Sequence, residues 1–215
     1  MGKLIHFGED DTSEKNVKHF LERVEDYNSL HWENSVMPGM YVVFLIQRFI
    51  KKPISRINAS FNGLVLFPEN LEVILEEGSR THFKVMKRNE KVYEGDFHHD
   101  SCQSNMGLDY TFPIYLIGGK LQVFYSQKGI FPLECFGVYR YQSMDFFKNG
   151  ENFSKLYFSK LERLNKRDYN IVTKCLSSSN NKIIAEGHAV ISVINKKTIC
   201  HLIKVEEDRK RFGKI

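Results

Sequence analysis

An acidic side chain and an imidazole lie five positions apart in the stretch "DYNSLH", where they are Asp26 and His31. A carboxylate beside a neutral imidazole can hold and polarise one water molecule, and either group can move a proton. The spacing alone decides little, because an aspartate often caps a turn and a histidine is a common surface residue. The pair therefore predicts acid–base chemistry only where neighbouring elements bring both side chains to one site.

Gly39 supplies a third element, because it opens the most hydrophobic stretch of the chain. That stretch predicts a helix over residues 40–51 that is apolar on nearly every face and therefore buried on all sides. The N–H groups at a helix start have no acceptor inside the helix and favour negative charge, although glycine is also common there for conformational reasons. An N–H at this place would stabilise a carbonyl oxygen that becomes an enolate. Together with Asp26 and His31, Gly39 suits addition of water to, or its removal from, a double bond conjugated with a thioester carbonyl.

The segments around these residues predict helices first and strands afterwards. An amphipathic helix is expected over Ser13–Val24, because its apolar residues recur at helical spacing after the capping residues of "DDTSE". The stretch Asp26–Met40 is too polar and too tight for a helix or a strand, so it is predicted to be a loop. Four strands are expected to follow at Ile57–Phe67, Leu71–Glu76, His82–Lys87 and Lys91–Phe97. A sheet wrapped around one central helix would satisfy this order, since only such wrapping buries every face of that helix.

The second part of the chain has the pattern of a faint copy of the first. Residues 98–108 are polar and are interpreted as a linker between a first domain at 1–97 and a second at 109–215. The stretch "FPIYLIGGKLQVFYSQKG" predicts another buried helix. Strands are expected after it at Leu133–Phe147, Phe153–Leu164, Asp168–Leu176 and Lys182–Asn195. The predicted fold class is α+β, with the two halves forming a pseudo-dimer in which each covers a sheet edge of the other; a further homodimer of the whole chain is left open.

Composition and charge exclude several classes of protein. The 215 residues carry a net charge of +5, which does not predict a nucleic-acid partner, and the basic cluster at 208–214 is interpreted as a solvated, frayed tail. No apolar run approaches the roughly 20 residues needed to span a bilayer, and the first residues lack the apolar core of a signal peptide. Four scattered cysteines without a C-x-x-C pair argue against disulfides and zinc sites and fit a reducing cytoplasm.

One other cluster, "HHD" at 98–100, has side chains of the types that bind metals. Adjacent histidines without a partner at ligand spacing predict a polar loop more strongly than a metal site. No metal and no redox cofactor is therefore expected. Because the second half contains no acid-x4-His pair, we expect at most one active site per chain.

The stretch "DYNSLH" followed by "MPGMYVVFLIQRF" resembles the signature of the MaoC-like hydratases and dehydratases, which include the (R)-specific enoyl-CoA hydratases. The positions that match are Asp26, Asn28, Leu30, His31, Gly39 and Met40. The resemblance covers about residues 5–97 and implies a hot-dog fold, a curled antiparallel sheet around a central helix. It implies that Asp26 and His31 activate water, and that Asn28, Gly39 and Met40 contact the substrate, with the Gly39 N–H on the thioester oxygen. The second half resembles a degenerate hot-dog repeat, so the whole chain is expected to be a double hot-dog protein.

Three departures from the family pattern lie in the same stretch. Ser29 stands where the family has proline, Pro38 replaces a histidine before the glycine, and the segment between His31 and Gly39 is shorter than usual. The expected activity is hydration of 2-enoyl thioesters or dehydration of 3-hydroxyacyl thioesters, carried on coenzyme A or an acyl carrier protein. Two alternatives stay open: a non-catalytic hot-dog protein that binds acyl chains or acts as a scaffold, and a hot-dog thioesterase.

Overall fold

The computed structural model describes residues 2–99, 134–147, 153–177 and 179–212. Its helices are α1 (Glu14–Arg23), α2 (Ser29–Trp32), α3 (Gly39–Gln47) and α4 (Lys196–Phe212). Its strands are β1 (Lys3–Phe7), β2 (Ile54–Phe61), β3 (Leu71–Glu77), β4 (Arg80–Lys87), β5 (Glu90–His99), β6 (Cys135–Phe146), β7 (Phe153–Arg163), β8 (Asp168–Ser177) and β9 (Ile183–Asn195). The buried helix predicted over 112–129, and residues 100–108 of the predicted linker, lie outside the described residues.

The strands of the described residues form one antiparallel sheet in the order β1-β3-β4-β5-β2-β6-β9-β8-β7. The two parts of the chain meet where β2 pairs with β6, with Arg56 opposite Asp145 and Ser60 opposite Tyr141. A salt bridge between the side chains of Arg56 and Asp145 crosses this junction. The sheet is therefore continuous across the predicted domain boundary, and the division into two similar halves stays a prediction.

Helix α3 lies in the centre of the core. Its residues Met40–Val43 and Leu45–Gln47 are buried, as the apolar composition of every face predicts. They share one hydrophobic core with sheet residues such as Ile57 and Phe97. The helix ends at Gln47, earlier than predicted, and the N–H groups of the next turn bond three residues back, for example Ile50 to Gln47.

Helix α1 is held against α3, and this contact fixes where the loop after α1 begins. The predicted helix is confirmed, and it buries Val17, Phe20 and Leu21 on one face. The Phe20 ring lies 5.2 Å from the ring of Tyr41 on α3. The Tyr41 hydroxyl donates a hydrogen bond to the carbonyl oxygen of Asp11, just before α1, at 2.5 Å. The chain therefore leaves α1 at a defined position beside the start of α3.

Most of the predicted strands are confirmed, and one is wrong over half its length. Strands β3–β9 match the seven later predictions to within two residues at each end. The strand expected over Ile57–Phe67 is instead β2, Ile54–Phe61, because the backbone turns at Asn62 and Gly63. The N–H groups of both turn residues donate to the carbonyl oxygen of Val92, at 2.9 and 3.1 Å.

Three other expectations are corrected. The loop predicted over Asp26–Met40 contains one helical turn, α2. The predicted linker begins too early, because His98 and His99 belong to strand β5. The tail expected to fray over 208–214 is helical as far as Phe212, because buried residues earlier in α4 fix this helix on the protein. No helix within the described ranges has the length and apolar character needed to cross a membrane.

Candidate active site

Asp26 is fixed by the chain that follows α1. Glu25 has a positive φ of 55°, which reverses the chain, and the Asp26 N–H then donates to the carbonyl oxygen of Leu21 at 2.9 Å. The Asp26 carbonyl oxygen accepts a hydrogen bond from the Trp32 indole N–H at 2.7 Å. One carboxylate oxygen, Oδ1, accepts from the Asn28 N–H at 3.1 Å. The side chain is buried, so the carboxylate is held in one orientation with its second oxygen, Oδ2, available to other groups.

Asn28 builds the helical turn that carries the histidine. Its side-chain oxygen accepts a hydrogen bond from the Leu30 N–H at 3.0 Å, which is a helix cap, and its carbonyl oxygen accepts from the His31 N–H at 2.9 Å. Ser29, which departs from the family pattern, is the first residue of this turn. These hydrogen bonds give Asn28 a structural role that the residue pattern alone did not indicate.

His31 is oriented by a backbone carbonyl. Its Nδ1 lies 2.7 Å from the carbonyl oxygen of Val36, and since a carbonyl only accepts, Nδ1 carries the proton. In the neutral ring, Nε2 is then an acceptor. Nε2 lies 3.9 Å from Oδ2 of Asp26, and the two side chains are 13% and 11% exposed. The structure thus brings the two predicted catalytic residues together, with Nε2 of His31 facing Oδ2 of Asp26.

Gly39 begins α3 as predicted, and Met40 follows it in the first turn. Neither N–H has an acceptor within the helix, because the first four N–H groups of an α-helix have none. A β-carbon on Gly39 would lie 2.2 Å from Cδ1 of Phe61, whose ring packs at 5.4 Å against the ring of Tyr93. The glycine is therefore required for close packing of an aromatic ring, in addition to any contact with a substrate.

These residues line one cavity of about 210 Å³. Asp26, Asn28, His31, Gly39 and Met40, all predicted as site residues, form part of its wall. The other residues that line it from the first part of the chain (residues 2–99) are mostly apolar: Phe20, Val24, Leu30, Val36, Met37, Pro38, Phe61, Asn62, Gly63, Leu64, Val65 and Tyr93. Burial raises the pKa of the Tyr93 hydroxyl well above its usual value, so this side chain is neutral. The cavity combines a small polar group with a large apolar surface, which is the usual composition of a ligand site.

A second wall of the cavity comes from the second part of the chain, which no motif in the sequence connects with the site. Among the described residues it consists of Gly137, Val138, Tyr139 and Arg140 of β6, Ile191 and Ile194 of β9, and Ile199 and Leu202 of α4. The only sequence signal for α4 was the recurrence of apolar residues at helical spacing from Ile199 to Ile203. No pattern in the sequence indicated that these residues line the same cavity as Asp26.

Helix α4 also supports the residues that orient His31. Ile199 and Ile203 pack in a small hydrophobic cluster with Leu30, which precedes His31, and with Val36, whose carbonyl holds the imidazole. Further along α4, the buried carboxylate of Glu206 accepts from the Lys87 ammonium group at 2.8 Å. The second part of the chain therefore packs against the residues that position His31.

The histidines that follow in the sequence do not belong to this site. His98 Nε2 lies 2.5 Å from Oδ1 of Asp96, and the pKa of His98 is lowered mainly by burial, with the nearby charges of Arg80 and Arg56 adding to this effect against the opposing effect of Asp96. His99 lies 2.8 Å from the Thr81 hydroxyl through Nε2. Neither histidine lines the cavity, and Asp100 lies outside the described residues. Within the described ranges there is no group of three side chains that could hold a metal ion.

The sequence matches no protein-family model and no curated protein. Solved structures do share the fold. The chain is similar to the dehydratase domain from the CurJ module of the curacin polyketide synthase, with a TM-score of 0.58 and 11% identity over 91% of this chain and 93% of that chain. It is similar to the acyl-CoA thioesterase II TesB2 from Mycobacterium marinum, with a TM-score of 0.50 and 9% identity over 81% and 97%. A hot-dog protein of unknown function from Alicyclobacillus acidocaldarius gives a TM-score of 0.52 and 8% identity over 80% and 90%.

Identities this low establish the fold and not the reaction. The similar structures include both a dehydratase and a thioesterase, so they support a hot-dog protein in general and not the MaoC-like family in particular. The antiparallel sheet and the buried helix α3 agree with that architecture. The chain is an α+β protein with the hot-dog fold.

Proposed function

We propose that the protein adds water to 2-enoyl thioesters or removes it from 3-hydroxyacyl thioesters, with Asp26 and His31 as the acid–base pair. The observation that carries this proposal is the approach of His31 Nε2 to Asp26 Oδ2, 3.9 Å apart, on the wall of a mostly apolar cavity. Both atoms accept hydrogen bonds, so one water molecule can donate to both of them. The resemblance of "DYNSLH" to the MaoC-like motif supports the same assignment.

The proposed hydration begins with that water. Its oxygen forms a bond to the β-carbon of the enoyl thioester, while one of the two side chains accepts a proton from it. The electron pair of the double bond moves toward the thioester carbonyl, which becomes an enolate. A proton is then delivered from the pair to the α-carbon, and the carbonyl is restored. Dehydration is the same sequence in reverse, with a proton taken from the α-carbon and another given to the leaving hydroxyl.

The start of α3 is the proposed place for the thioester oxygen. Gly39 lines the cavity, and its N–H has no acceptor inside the helix. A donor aimed at a developing oxyanion typically contributes about 2.7–4 kcal/mol to transition-state stabilisation. Met40, in the same turn, would border the acyl group, and Asn28 would act mainly by holding the turn that carries His31.

The wider proposal follows the sequence analysis. The carrier is coenzyme A or an acyl carrier protein, the chain is a double hot-dog with one active site at 1–97 and a degenerate half at 109–215, and the protein acts in the cytoplasm. No metal or redox cofactor takes part in the proposed steps. The pairing of β2 with β6 supports the pseudo-dimer arrangement.

A thioesterase is the second candidate, because the same two side chains would also activate water for attack on the carbonyl carbon. The fold similarity to an acyl-CoA thioesterase supports it as much as the similarity to a dehydratase supports hydration. The two reactions differ in their products. Hydration removes the conjugated double bond and keeps the thioester, whereas a thioesterase releases a free thiol.

Both products can be followed with crotonyl-CoA and longer enoyl-CoAs, the double bond by ultraviolet absorbance and the thiol with a thiol reagent. The proposal expects loss of absorbance without thiol release, abolished in Asp26→Asn and His31→Gln. His6→Gln is the matched control, because His6 is an exposed histidine of β1 that does not line the cavity. Thiol release would favour the thioesterase, and binding without any turnover would favour an acyl-binding protein.

A further inference from the structure

Arg140 lies at a bulge in strand β6, beside the cavity. Tyr139 pairs with Ile191 of β9 and Tyr141 pairs with Val190, so Arg140 is an extra residue in this ladder. In a regular strand, the side chains of neighbouring residues point to opposite faces, yet both Tyr139 and Arg140 line the cavity. A bulge re-aims side chains in this way, and bulges are over-represented next to active sites.

The bulge coincides with the point where β6 separates from β2. The pairs between these strands run from Arg56–Asp145 to Ser60–Tyr141, and the chain after β2 turns away at Asn62. Arg140 follows directly beyond the last pair. It is exposed to solvent although it lines the cavity, which places it at the cavity opening between the two parts of the sheet.

The carboxylate that acts on Arg140 is already engaged by neutral groups. Asp168 accepts a hydrogen bond from the Ser192 hydroxyl at 2.5 Å and another from the Asn165 amide at 2.7 Å. These hydrogen bonds are the main reason that the pKa of Asp168 is lowered, and the charges of Arg140 and Arg167 lower it further. A guanidinium has five N–H donors in a planar fork, so a carboxylate that acts on it through charge leaves it donors for an incoming anion.

We propose that Arg140 binds the phosphate that ends the pantetheine arm of the acyl-thioester substrate. The inference rests on the proposed function only in that the cavity accepts such a thioester. Coenzyme A and acyl carrier proteins both present this phosphate, at the opposite end of the arm from the thioester. The fork of an arginine matches phosphate oxygens in pairs, and the cavity opening is where that end of the substrate would lie. Asp26 and His31 on one wall would act on the acyl group, while Arg140 on the other wall holds the carrier.

Binding measurements test this without any turnover. Isothermal titration calorimetry gives the affinities of coenzyme A and of pantetheine, which lacks the phosphate, for the full chain and its variants. We expect Arg140→Gln to weaken coenzyme A binding by roughly tenfold, so that the ratio between the two affinities falls toward one. Arg140→Lys, which keeps the charge, should recover part of that ratio. Arg167→Gln is the matched control, because Arg167 also acts on Asp168 but does not line the cavity, and it should keep the wild-type ratio.

Several outcomes would overturn the proposal. One is a wild-type protein that binds the two ligands equally, and another is an Arg140→Gln variant that loses affinity for both to the same degree. A comparison of crotonyl-CoA with crotonyl-acyl carrier protein then shows which phosphate Arg140 binds. Both substrates carry the phosphate of the pantetheine arm, but only coenzyme A carries the other phosphates of the nucleotide. Arg140→Gln should weaken both substrates, and an effect on the coenzyme A ester alone would contradict the proposal. A wild-type protein that binds coenzyme A through Arg140 without hydrating enoyl thioesters would refute the proposed function and leave this inference standing.

Discussion

The two walls of the cavity are built in different ways. The wall that carries Asp26 and His31, here called the polar wall, comes from one continuous stretch, Asp26–Met40, whose residues hold each other through short-range hydrogen bonds such as Asn28 to Asp26 and His31 to Val36. The wall from the second part of the chain is mostly apolar apart from Arg140 and is here called the apolar wall; it is assembled from β6, β9 and α4. Local hydrogen bonds orient the proposed catalytic groups, whereas the shape of the cavity depends on contacts between distant parts of the chain.

The largest expected effect is on the polar wall. Replacing Asp26 by asparagine or His31 by glutamine should lower turnover of enoyl thioesters by about 10²–10⁴-fold, since that is the usual contribution of acid–base groups. Steady-state absorbance kinetics measure the loss. The asparagine keeps an acceptor for the Asn28 N–H, so the melting temperature should change little. If the activity of these variants fell only in proportion to the fraction of unfolded protein, the two residues would have a structural role and not a catalytic one.

The next effect concerns the support behind the apolar wall. Glu206→Gln leaves the Lys87 ammonium buried without a charged partner, and loss of one member of a buried ion pair typically costs about 3–5 kcal/mol. Urea unfolding should show this loss of stability. A double variant, Lys87→Met with Glu206→Met, is the control, because removing both charges should restore most of the stability. Equal instability of the single and double variants would mean that the loss comes from another contact of Glu206, such as the one with Arg88 at 3.3 Å, and not from the unpaired Lys87 charge.

Replacement of Gly39 should affect both stability and turnover, because this residue has a packing role and a proposed catalytic role. Gly39→Ala should destabilise the protein by about 1–3 kcal/mol, since the new methyl group meets the Phe61 ring. Adding Phe61→Leu should recover part of the melting temperature lost, and Phe61→Leu alone is the reference variant. The alanine keeps its backbone N–H, so turnover per folded molecule should return in the double variant. Persistent inactivity of a stable double variant would show that the close approach to Gly39 itself is needed.

The smallest expected effect is on substrate preference. Leu202 of α4 lines the cavity but is 44% exposed, so Leu202→Ala should widen the cavity at modest cost in stability. The ratio of kcat/KM for a longer enoyl chain to that for crotonyl-CoA should rise by roughly tenfold, because contact of one methylene group with an apolar pocket typically changes kcat/KM by at least about that factor. Val205→Ala, on the same helix but outside the cavity wall, is the control. An unchanged ratio would mean that α4 shapes the site without contacting the acyl chain.

The polar wall was largely predictable from the sequence. The residues of "DYNSLH" and the start of the Gly-initiated apolar helix lie within 15 residues of each other, so the local pattern and its resemblance to the MaoC-like signature together selected them as site candidates. The hydrogen bond from His31 to Val36 was not predictable, because it depends on the helical turn α2. The polar sequence of this stretch predicted a loop instead. Asn28 caps that turn, and a capping role cannot be told from a substrate contact by residue type alone.

The apolar wall was not predictable, for physical reasons. Its residues are ordinary strand and helix residues, and contacts between distant parts of the chain bring them to the site, such as the pairing of β2 with β6 and the packing of α4 against Leu30 and Val36. Helix α4 was not predicted, because the charged residues at its end are as typical of a solvated tail as of a helix C-terminus. The bulge at Arg140 depends on register, which the sequence of one strand does not specify.

Proton exchange at the α-carbon tests the central claim most directly. In heavy water, reversible dehydration of 3-hydroxybutyryl-CoA replaces an α-proton by deuterium, and proton nuclear magnetic resonance follows the loss of that signal. We expect exchange in the wild-type protein and in His6→Gln, and its near absence in His31→Gln and Asp26→Asn. Wild-type protein that exchanges no deuterium, or that exchanges it equally well in His31→Gln, would contradict the assignment of Asp26 and His31 as the acid–base pair.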